Sequence, residues 1–146
     1  IAGGIFFGTL SESFGRRNSI ILAALLVLPI IPLWAFSTGA VLLAVGAFLL
    51  QFMVQGAWGI VPVHLNELSP PAARGTFPGF TYQLGNLIAS ANATIQAQIA
   101  ATHGGDYGLA LAIIAGCVAI AVAVITWFGR EAKGVAFVTR SSLLQP

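Results

Sequence analysis

The sequence predicts an all-α protein that crosses a membrane several times, and three observations support this fold class. Hydrophobic residues make up 58% of the 146 residues and charged residues only 7%, whereas soluble domains carry about 25% charged residues. The mean hydropathy is +0.93. The apolar residues are also gathered into long uncharged runs separated by short polar stretches. Because so apolar a chain lacks the polar groups to cover its surface in water, we expect a bilayer around it.

The apolar runs have the lengths of spanning helices, which need about 20 residues to cross the hydrocarbon core. We predict one partial and four complete spans, at about 1–10, 19–36, 40–62, 75–101 and 107–128. The first run is too short to span, so we interpret it as the tail of a helix that begins before residue 1. Residues 129–146 form a polar tail.

The basic residues indicate the orientation of these spans. If the spans alternate in direction, all six basic residues fall on one side of the membrane: Arg16, Arg17, Arg74, Arg130, Lys133 and Arg140. Cytoplasmic loops carry an excess of Lys and Arg. We therefore expect this side, including the C-terminal tail, to be cytoplasmic.

The composition excludes several function classes. The net charge of +2 comes without a basic, aromatic-interleaved cluster of the kind that binds nucleic acid. Cys117 is the one cysteine, so neither a disulfide framework nor a cysteine metal site can form. No predicted span carries a metal-ligand cluster or a nucleophile beside a base. We expect no enzyme activity, no catalytic residue, no metal and no cofactor.

A motif with defined spacing follows the first apolar run. Residues 8–17 read GTLSESFGRR and fit the pattern G-x-x-x-[D/E]-x-x-G-R-R. Glycines permit a tight turn and close helix approach, and the arginines can pair with the acid or with helix C-termini. The alternative is that Arg-Arg only marks a cytoplasmic flank. The motif residues are Gly8, Glu12, Gly15, Arg16 and Arg17.

A second motif follows the third run. Residues 67–75 read ELSPPAARG and fit E-x-x-P-x-x-x-R-G, with Glu67, Pro70 and Arg74 at the defined positions. Glu67 and Arg74 carry opposite charges close together on the side expected to be cytoplasmic. The alternative is a solvated loop with a proline that starts the next helix.

Together the two motifs resemble loops of the major facilitator superfamily. Its signature loop between helices 2 and 3 recurs in weaker form between helices 8 and 9, and Glu12 and Ser13 suit that weaker copy. The second motif is similar to the loop between helices 10 and 11. The resemblance implies the C-terminal part of a major-facilitator fold, helices 8–12, whose first loop latches helices on the cytoplasmic face. The missing N-terminal part of the same chain would be its partner.

A narrower resemblance is to the fungal lactate–pyruvate proton symporters, the monocarboxylate permeases of the plasma membrane. It rests on the segments QGAWG, HLNELSPP, TFPG and YQLGN within residues 51–98. In that family the Gln and Asn of the helix-11 motif are implicated in substrate transport, which carries over to Gln83 and Asn86. The resemblance implies a secondary transporter that moves a small monocarboxylate together with protons.

The pattern of polar residues in the fourth run also favours Gln83 and Asn86, independently of the family resemblance. Gln83, Asn86, Ser90 and Thr94 fall within a stripe roughly 80° wide on a helix. Polar side chains at membrane depth face a bundle interior or a water-filled cavity, because lipid offers them no hydrogen bonds. The alternative is hydrogen bonding between helices that only holds the bundle together.

Two further amides are candidates for lining the substrate path. Gln51 and Gln55 lie one turn apart on the third run, with Gln51 near mid-span. The alternative for this helix is packing through its small residues, Gly46, Gly56 and Gly59.

The absence of Asp, Glu, Lys and Arg from the predicted spans leaves the function partly open. A carboxylate needs a cationic partner and a proton symporter needs a titratable group, so we expect those residues mostly in the missing N-terminal part. His64 at the end of the third run is more often structural or solvated than proton-coupled. The alternatives are a porter for a sugar or other organic anion, and a receptor or scaffold that keeps the fold without transporting.

Overall fold

The computed structural model describes residues 1–134, and every regular element in that part of the chain is an α-helix. This confirms the predicted all-α class. Arg140 and the tail from residue 135 onward lie outside the described residues. The helices are α1 (Ala2–Phe14), α2 (Arg16–Ala35), α3 (Ala40–Leu68), α4 (Phe77–Ala89), α5 (Asn92–Thr102) and α6 (Tyr107–Phe128).

Three of the helices, α2, α3 and α6, are long and apolar enough to cross a membrane. They correspond to the second, third and fifth predicted spans. The short connections between successive runs make them alternate in direction. As a result, one end of the bundle holds the start of α2 and the last turns of α1, α3 and α6. We call it the charged end.

The predicted loop over residues 11–18 is almost absent, so its motif residues lie on helices. α1 continues through Phe14 and α2 begins at Arg16, which leaves Gly15 alone as the junction. Gly15 has a φ of 94°, a left-handed conformation that glycine adopts without strain. The expected tight turn at Gly15 is therefore present, while Glu12 and Arg16 lie in the adjoining helical turns.

The third helix is also longer than predicted. α3 passes through Pro62 and ends at Leu68, six residues beyond the predicted end of the span. The polar side chains of the last turns bond to the helix itself: Asn66 donates to the Pro62 carbonyl at 2.9 Å and Ser69 to the Leu65 carbonyl at 2.5 Å. The last turns of α3 are therefore helical, although their polar side chains suggested a loop.

The fourth run, predicted as one span over 75–101, is divided into α4 and α5. The break lies at Ser90 and Ala91, where the Ser90 hydroxyl donates to the Leu87 carbonyl at 2.6 Å. Serine competes with the helix for its own carbonyls in this way. Neither α4 nor α5 alone has the roughly 20 residues that a membrane crossing needs.

Small residues hold α1, α2 and α3 together at close range. A Cβ at Gly3 would overlap the backbone carbonyl of Phe52, and one at Gly46 would meet the backbone of Trp34. At Gly56, a Cβ would overlap the ring of Phe7, which belongs to the buried core. This is the packing expected of membrane helices, which gain van der Waals contact rather than hydrophobic burial.

Gly8 differs from the helix-packing glycines and does not make the close approach that we expected. A Cβ at Gly8 would meet no atom within 4 Å among the described residues. Of the two motif glycines, only Gly15 occupies a position that favours glycine over other residues.

The close approach of α1 to α3 predicts unequal costs for one substitution at two positions of α1. Gly3→Val should lower the free energy of unfolding by about 1–3 kcal/mol, because the added side chain must displace the Phe52 backbone. Gly8→Val is the matched control, with the same loss of glycine but open space around it. The measurement is the thermal unfolding midpoint of detergent-solubilised protein. Equal midpoints for the two variants would contradict this packing.

Candidate functional site

At the charged end, the Arg16 guanidinium is the centre of an ionic cluster that joins three helices. It lies 2.7 Å from the Glu12 carboxylate of α1 and 3.4 Å from the Glu67 carboxylate of α3. It also donates to the Ser11 hydroxyl at 2.6 Å. The Arg16 and Glu67 side chains are 11% and 6% exposed. A buried charge without a partner is strongly destabilising, so Arg16 and Glu67 require each other, whereas the Glu12 side chain is 66% exposed.

A fourth helix is tied to the cluster by Glu131, which follows α6. Its carboxylate accepts hydrogen bonds from the backbone N–H groups of Arg16 and Arg17, each at 3.1 Å. These N–H groups form the positive end of the α2 dipole, where an anion is stabilised. A Cβ at Gly15 would lie 2.7 Å from the same carboxylate, which would have to shift, but it is the φ of 94° that favours glycine there.

Hydrogen bonds from backbone N–H groups also lower the pKa of the Glu131 carboxyl group. Burial acts to raise the pKa of the Glu131 carboxyl, but backbone hydrogen bonds from Lys133, Arg17 and Arg16 outweigh it. The pKa therefore lies below its ordinary value of 4.5, and the carboxylate is ionised at neutral pH. Hydrogen bonding to the charged form is the physical cause.

Two further contacts bring the segment after α6 against the α1–α2 junction. Lys133 donates to the Ser13 carbonyl at 3.4 Å, and Arg17 donates to the Gly129 carbonyl at 3.4 Å. Cationic side chains are favourable next to the carbonyls at helix C-termini. These contacts close the charged end around four helices.

Our sequence interpretation missed Glu131 and Lys133, which we treated as part of a polar tail. The sequence does have an acid and a base directly after the last apolar run. If the spans alternate in direction, these two residues lie on the same side of the membrane as Arg16, and this could have identified them. Glu67 was found, but its partner in the structure is Arg16 of the first motif, so the two motifs meet.

The rest of the second motif closes the connection after α3. Arg74 donates to the backbone carbonyls of Asn66 and Ser69 at 3.2 and 3.3 Å. The Pro70 carbonyl accepts from the Ala73 N–H at 3.0 Å within the turn. Glu67 and Arg74 thus lie at the same end of the bundle, as expected.

His64 is buried at this end rather than solvated. Its side chain lies one turn before Glu67 on α3, and the residue is 7% exposed. Its Nδ1 has no hydrogen-bond partner within residues 1–134.

A cavity of about 670 Å³ lies between α3 and α4, and we call it the α3–α4 cavity. The Trp58 and Tyr82 rings contact each other at its wall, with centroids 5.7 Å apart. Asn86, one helical turn beyond Tyr82, contributes an amide to the lining. No charged side chain lines this cavity, so any ligand there would meet aromatic rings, a phenol hydroxyl, the Thr81 hydroxyl and one amide.

A second cavity, of about 570 Å³, lies among α2, α3, α5 and α6, and we call it the apolar cavity. Aliphatic side chains dominate its lining. The lining residues that carry a polar group are Asn92, Gln96, Trp34 and Trp58. Gln96 donates to Asn92 at 3.1 Å, so the two amides partly satisfy each other.

Of the four residues predicted to bind substrate, only Asn86 lines either of these cavities. Gln83 is exposed and accepts a hydrogen bond from the Asn86 amide at 3.3 Å. Gln51 is exposed and Gln55 half-buried on α3, outside both linings. Substrate contact by Gln83, Gln51 and Gln55 stays a prediction.

Within residues 1–134, no group of three or more His, Cys, Asp or Glu side chains is placed to hold a metal ion. The candidate functional sites in this part of the chain are the ionic cluster and the two cavities.

A bundle of α-helices, three of them long and apolar enough to cross a membrane, is the architecture of a multi-pass membrane protein. The model of the family described as sugar (and other) transporters matches residues 1–133. The chain belongs to this family of the major facilitator superfamily, whose members are transporters and not enzymes.

Curated relatives carry several transporter names. The chain is 36% identical to a carboxylic acid transporter protein homolog of Saccharomyces cerevisiae in an alignment 143 positions long, which covers 90% of this chain and 23% of the relative. It is 37% identical to a facilitated trehalose transporter Tret1-2 homolog of Drosophila sechellia over 60% of this chain and 18% of the relative. It is 27% identical to the glucose transporter GlcP of Staphylococcus epidermidis over 78% of this chain and 26% of the relative.

The chain thus spans about a quarter or less of the length of these relatives. No solved structure matches it. Membership of the family and the three helices long enough to span make this chain part of a multi-pass membrane protein.

The Glu131 cap predicts a loss of stability when its charge is removed. Glu131→Gln should lower the free energy of unfolding by about 0.5–1 kcal/mol, because an amide replaces the anion at the start of α2. Arg130→Gln, a charge change at the adjacent exposed residue, is the control. The measurement is the thermal midpoint in detergent. A Glu131→Gln midpoint equal to that of wild type would contradict the cap.

The lowered pKa of Glu131 predicts how this stabilisation depends on pH. A carboxyl whose pKa is lower in the folded state stabilises the fold above its ordinary pKa of 4.5, and the effect disappears as pH falls through the folded value. The difference in midpoint between wild type and Glu131→Gln should be constant near neutral pH and shrink below pH 4.5. A difference that grows on acidification would contradict the assignment.

Proposed function

We propose that this chain is the C-terminal part of a secondary transporter that moves a small monocarboxylate of the lactate or pyruvate type together with protons. The observation that carries the substrate class is the 36% identity, over 90% of the chain, to the carboxylic acid transporter protein homolog. That likeness includes the segment with Gln83 and Asn86. The proposed mechanism is alternating access, in which two helical halves rock about a site near the membrane midplane.

The α3–α4 cavity supports a role in substrate contact. Asn86 presents an amide whose N–H groups can donate to carboxylate oxygens, and Tyr82 adds a phenol hydroxyl. The Trp58 ring offers an apolar surface to the hydrocarbon part of the substrate. Because no charged side chain lines this cavity, we propose that the cationic and proton-carrying groups belong to the rest of the transporter.

The charged end supports a latch role in the transport cycle. Arg16, Glu67 and Glu131 bind α1, α2, α3 and the segment after α6 together by contacts that water could replace if the helices separated. We propose that this cluster holds one conformation of the cycle and opens in the other.

We propose a plasma-membrane location with the charged end in the cytoplasm. In support, the basic residues of the described part lie at the charged end. The positive-inside rule associates such a distribution with the cytoplasm. The opposite connection, residues 103–106, has no Lys or Arg.

A second candidate substrate is a sugar. Relatives named as trehalose and glucose transporters match 60% and 78% of the chain. The Trp58–Tyr82 pair is also suited to a sugar, since aromatic faces pack against pyranose rings. The two candidates are distinguished by which unlabelled compound, lactate or glucose, competes for uptake.

Uptake of labelled lactate by the complete transporter tests the proposal. Asn86→Ala should raise the KM for lactate about threefold to tenfold, the effect of losing one hydrogen bond to substrate. Gln83→Ala should have a smaller effect, because Gln83 lies outside the cavity lining and contacts Asn86. Gln98→Ala, an exposed amide on α5, is the control at matched surface expression.

The two parts of the proposal fail in different ways. Unchanged kinetics for Asn86→Ala would remove this side chain from the substrate path and leave it a packing residue. No lactate uptake by wild type, with uptake of another substrate, would remove the monocarboxylate assignment and leave the transporter family.

A further inference from the structure

α2 and α3 pack against each other in opposite directions with a constant register. At the charged end, Arg16 of α2 pairs with Glu67 of α3. Seven residues further along α2 lies Ala23, and seven residues back along α3 lies Ile60. Ala23 and Ile60 belong to one buried core cluster, so the register set by the ion pair continues into the bundle.

Ser19 and His64 lie between these two contacts. Ser19 is three residues after Arg16, and His64 is three residues before Glu67. The register therefore places them opposite each other, about 4.5 Å along the helix axes from the ion pair. Ser19 is 0% exposed and His64 is 7% exposed. We call these two residues the Ser19–His64 layer.

The Ser19–His64 layer holds buried polar atoms without partners. Within residues 1–134, neither the Ser19 hydroxyl oxygen nor the His64 Nδ1 atom has a hydrogen-bond partner. Buried polar side-chain atoms are hydrogen-bonded in the large majority of cases, so two such atoms in one layer point to a ligand. A metal ion does not suit the layer, because the described residues form no group of three or more His, Cys, Asp or Glu.

A proton fits the chemistry of this layer. Imidazole is the side chain that ordinarily changes its charge between about pH 5 and pH 8. Once protonated, it donates from both ring nitrogens, and a serine hydroxyl accepts such a bond. Glu67 lies three residues beyond His64 on the same face of α3, a spacing at which an acid and a cation interact. A protonated His64 therefore has an acceptor in Ser19 and an anion in Glu67.

The charged groups that act on His64 come from three elements. They are Arg16 of α2, Glu67 of α3 and Glu131 after α6. From α1, Glu12 pairs with Arg16, and its side chain is 66% exposed. The Glu67 and Glu131 carboxylates attract a proton on His64, whereas the Arg16 guanidinium repels it. A proton there would compete with Arg16 for the Glu67 carboxylate.

We propose that His64 is a proton-binding site that opens the ionic cluster. The proton moves from water at the charged end to the imidazole nitrogen that lacks one, and no other bond forms or breaks. The imidazolium is then a second cation beside Arg16 and a rival partner for Glu67, so α2 and α3 separate at this end. The inference rests on the latch role proposed above and names the group that controls it.

The proton on His64 is distinct from one that travels with the substrate. His64 lines neither the α3–α4 cavity nor the apolar cavity. A transporter that delivers protons to the cytoplasm would therefore be regulated by one of its own products, through a site outside the substrate path.

The experiment measures the separation of α2 and α3 in the complete transporter as pH changes. Spin labels at Asn18→Cys and Leu68→Cys, in a background without other cysteines, report the distance between the two helix ends. Binding of one proton changes a two-state equilibrium by at most about tenfold per pH unit. The ratio of separated to closed molecules should rise about threefold to tenfold for each unit that pH falls between about 8 and 5.

Three variants identify the group responsible. His64→Gln should remove the pH dependence, because an amide forms hydrogen bonds but does not take up a proton. His103→Gln is the matched control, since His103 is exposed at the opposite connection, and it should respond as wild type does. Glu67→Gln should raise the separated fraction even at pH 8, because Arg16 loses its buried anion. If His64→Gln or Glu67→Gln does not reach the membrane, His64→Asn and Glu67→Asp replace them.

The outcomes separate this inference from the proposed function. A distance independent of pH in wild type overturns the proton site and leaves a layer that binds only water. Retention of the full pH dependence in His64→Gln overturns it too, since another group would then carry the proton. An unchanged separated fraction in Glu67→Gln overturns the latch role, and this inference with it. The monocarboxylate assignment is tested by lactate uptake, so its failure would leave the proton site standing.

Discussion

The charged end depends on one buried cation. Arg16 lies at the first turn of α2 with its side chain 11% exposed, and its charge is balanced by carboxylates from α1 and α3. A buried ion pair is costly to form but more costly to break by removing one partner. The arrangement therefore fixes which helices are neighbours more than it adds net stability. Gly15 is part of the same constraint, because its φ of 94° turns α1 into α2 and leaves room for the Glu131 carboxylate.

Away from the charged end, the bundle is held by a different kind of force. The helices that cross the membrane gain little from burying apolar surface, since lipid is as apolar as a leucine side chain. Close backbone contact at Gly3 and Gly46 supplies the packing instead. The ionic cluster thus acts where water reaches the helix ends, and small residues act where it does not.

Sequence reasoning recovered the helical fold and most of its spans because hydropathy is a property of each run by itself. It also placed Glu67, Arg16 and Arg17 in motifs, since their spacing is local. It missed the ends of α1 and α3 because Ser11, Ser13 and Asn66 lie on helical turns, where their side chains bond to carbonyls of their own helix, and polar composition alone does not distinguish such a turn from a loop. The partners of Arg16 and the role of Glu131 were not predictable from spacing, because these contacts join residues 51 and 115 positions apart.

The division of the fourth run at Ser90 leaves its two halves with different neighbours. α4 contacts α3 and α5 contacts α6, although the two helices are adjacent in sequence. Asn86 and Asn92 lie about 120° apart around a helix, and they line separate cavities. Ser90 and Ala91 both keep right-handed helical backbone angles, so this polar run serves two sets of neighbours without a loop between its halves.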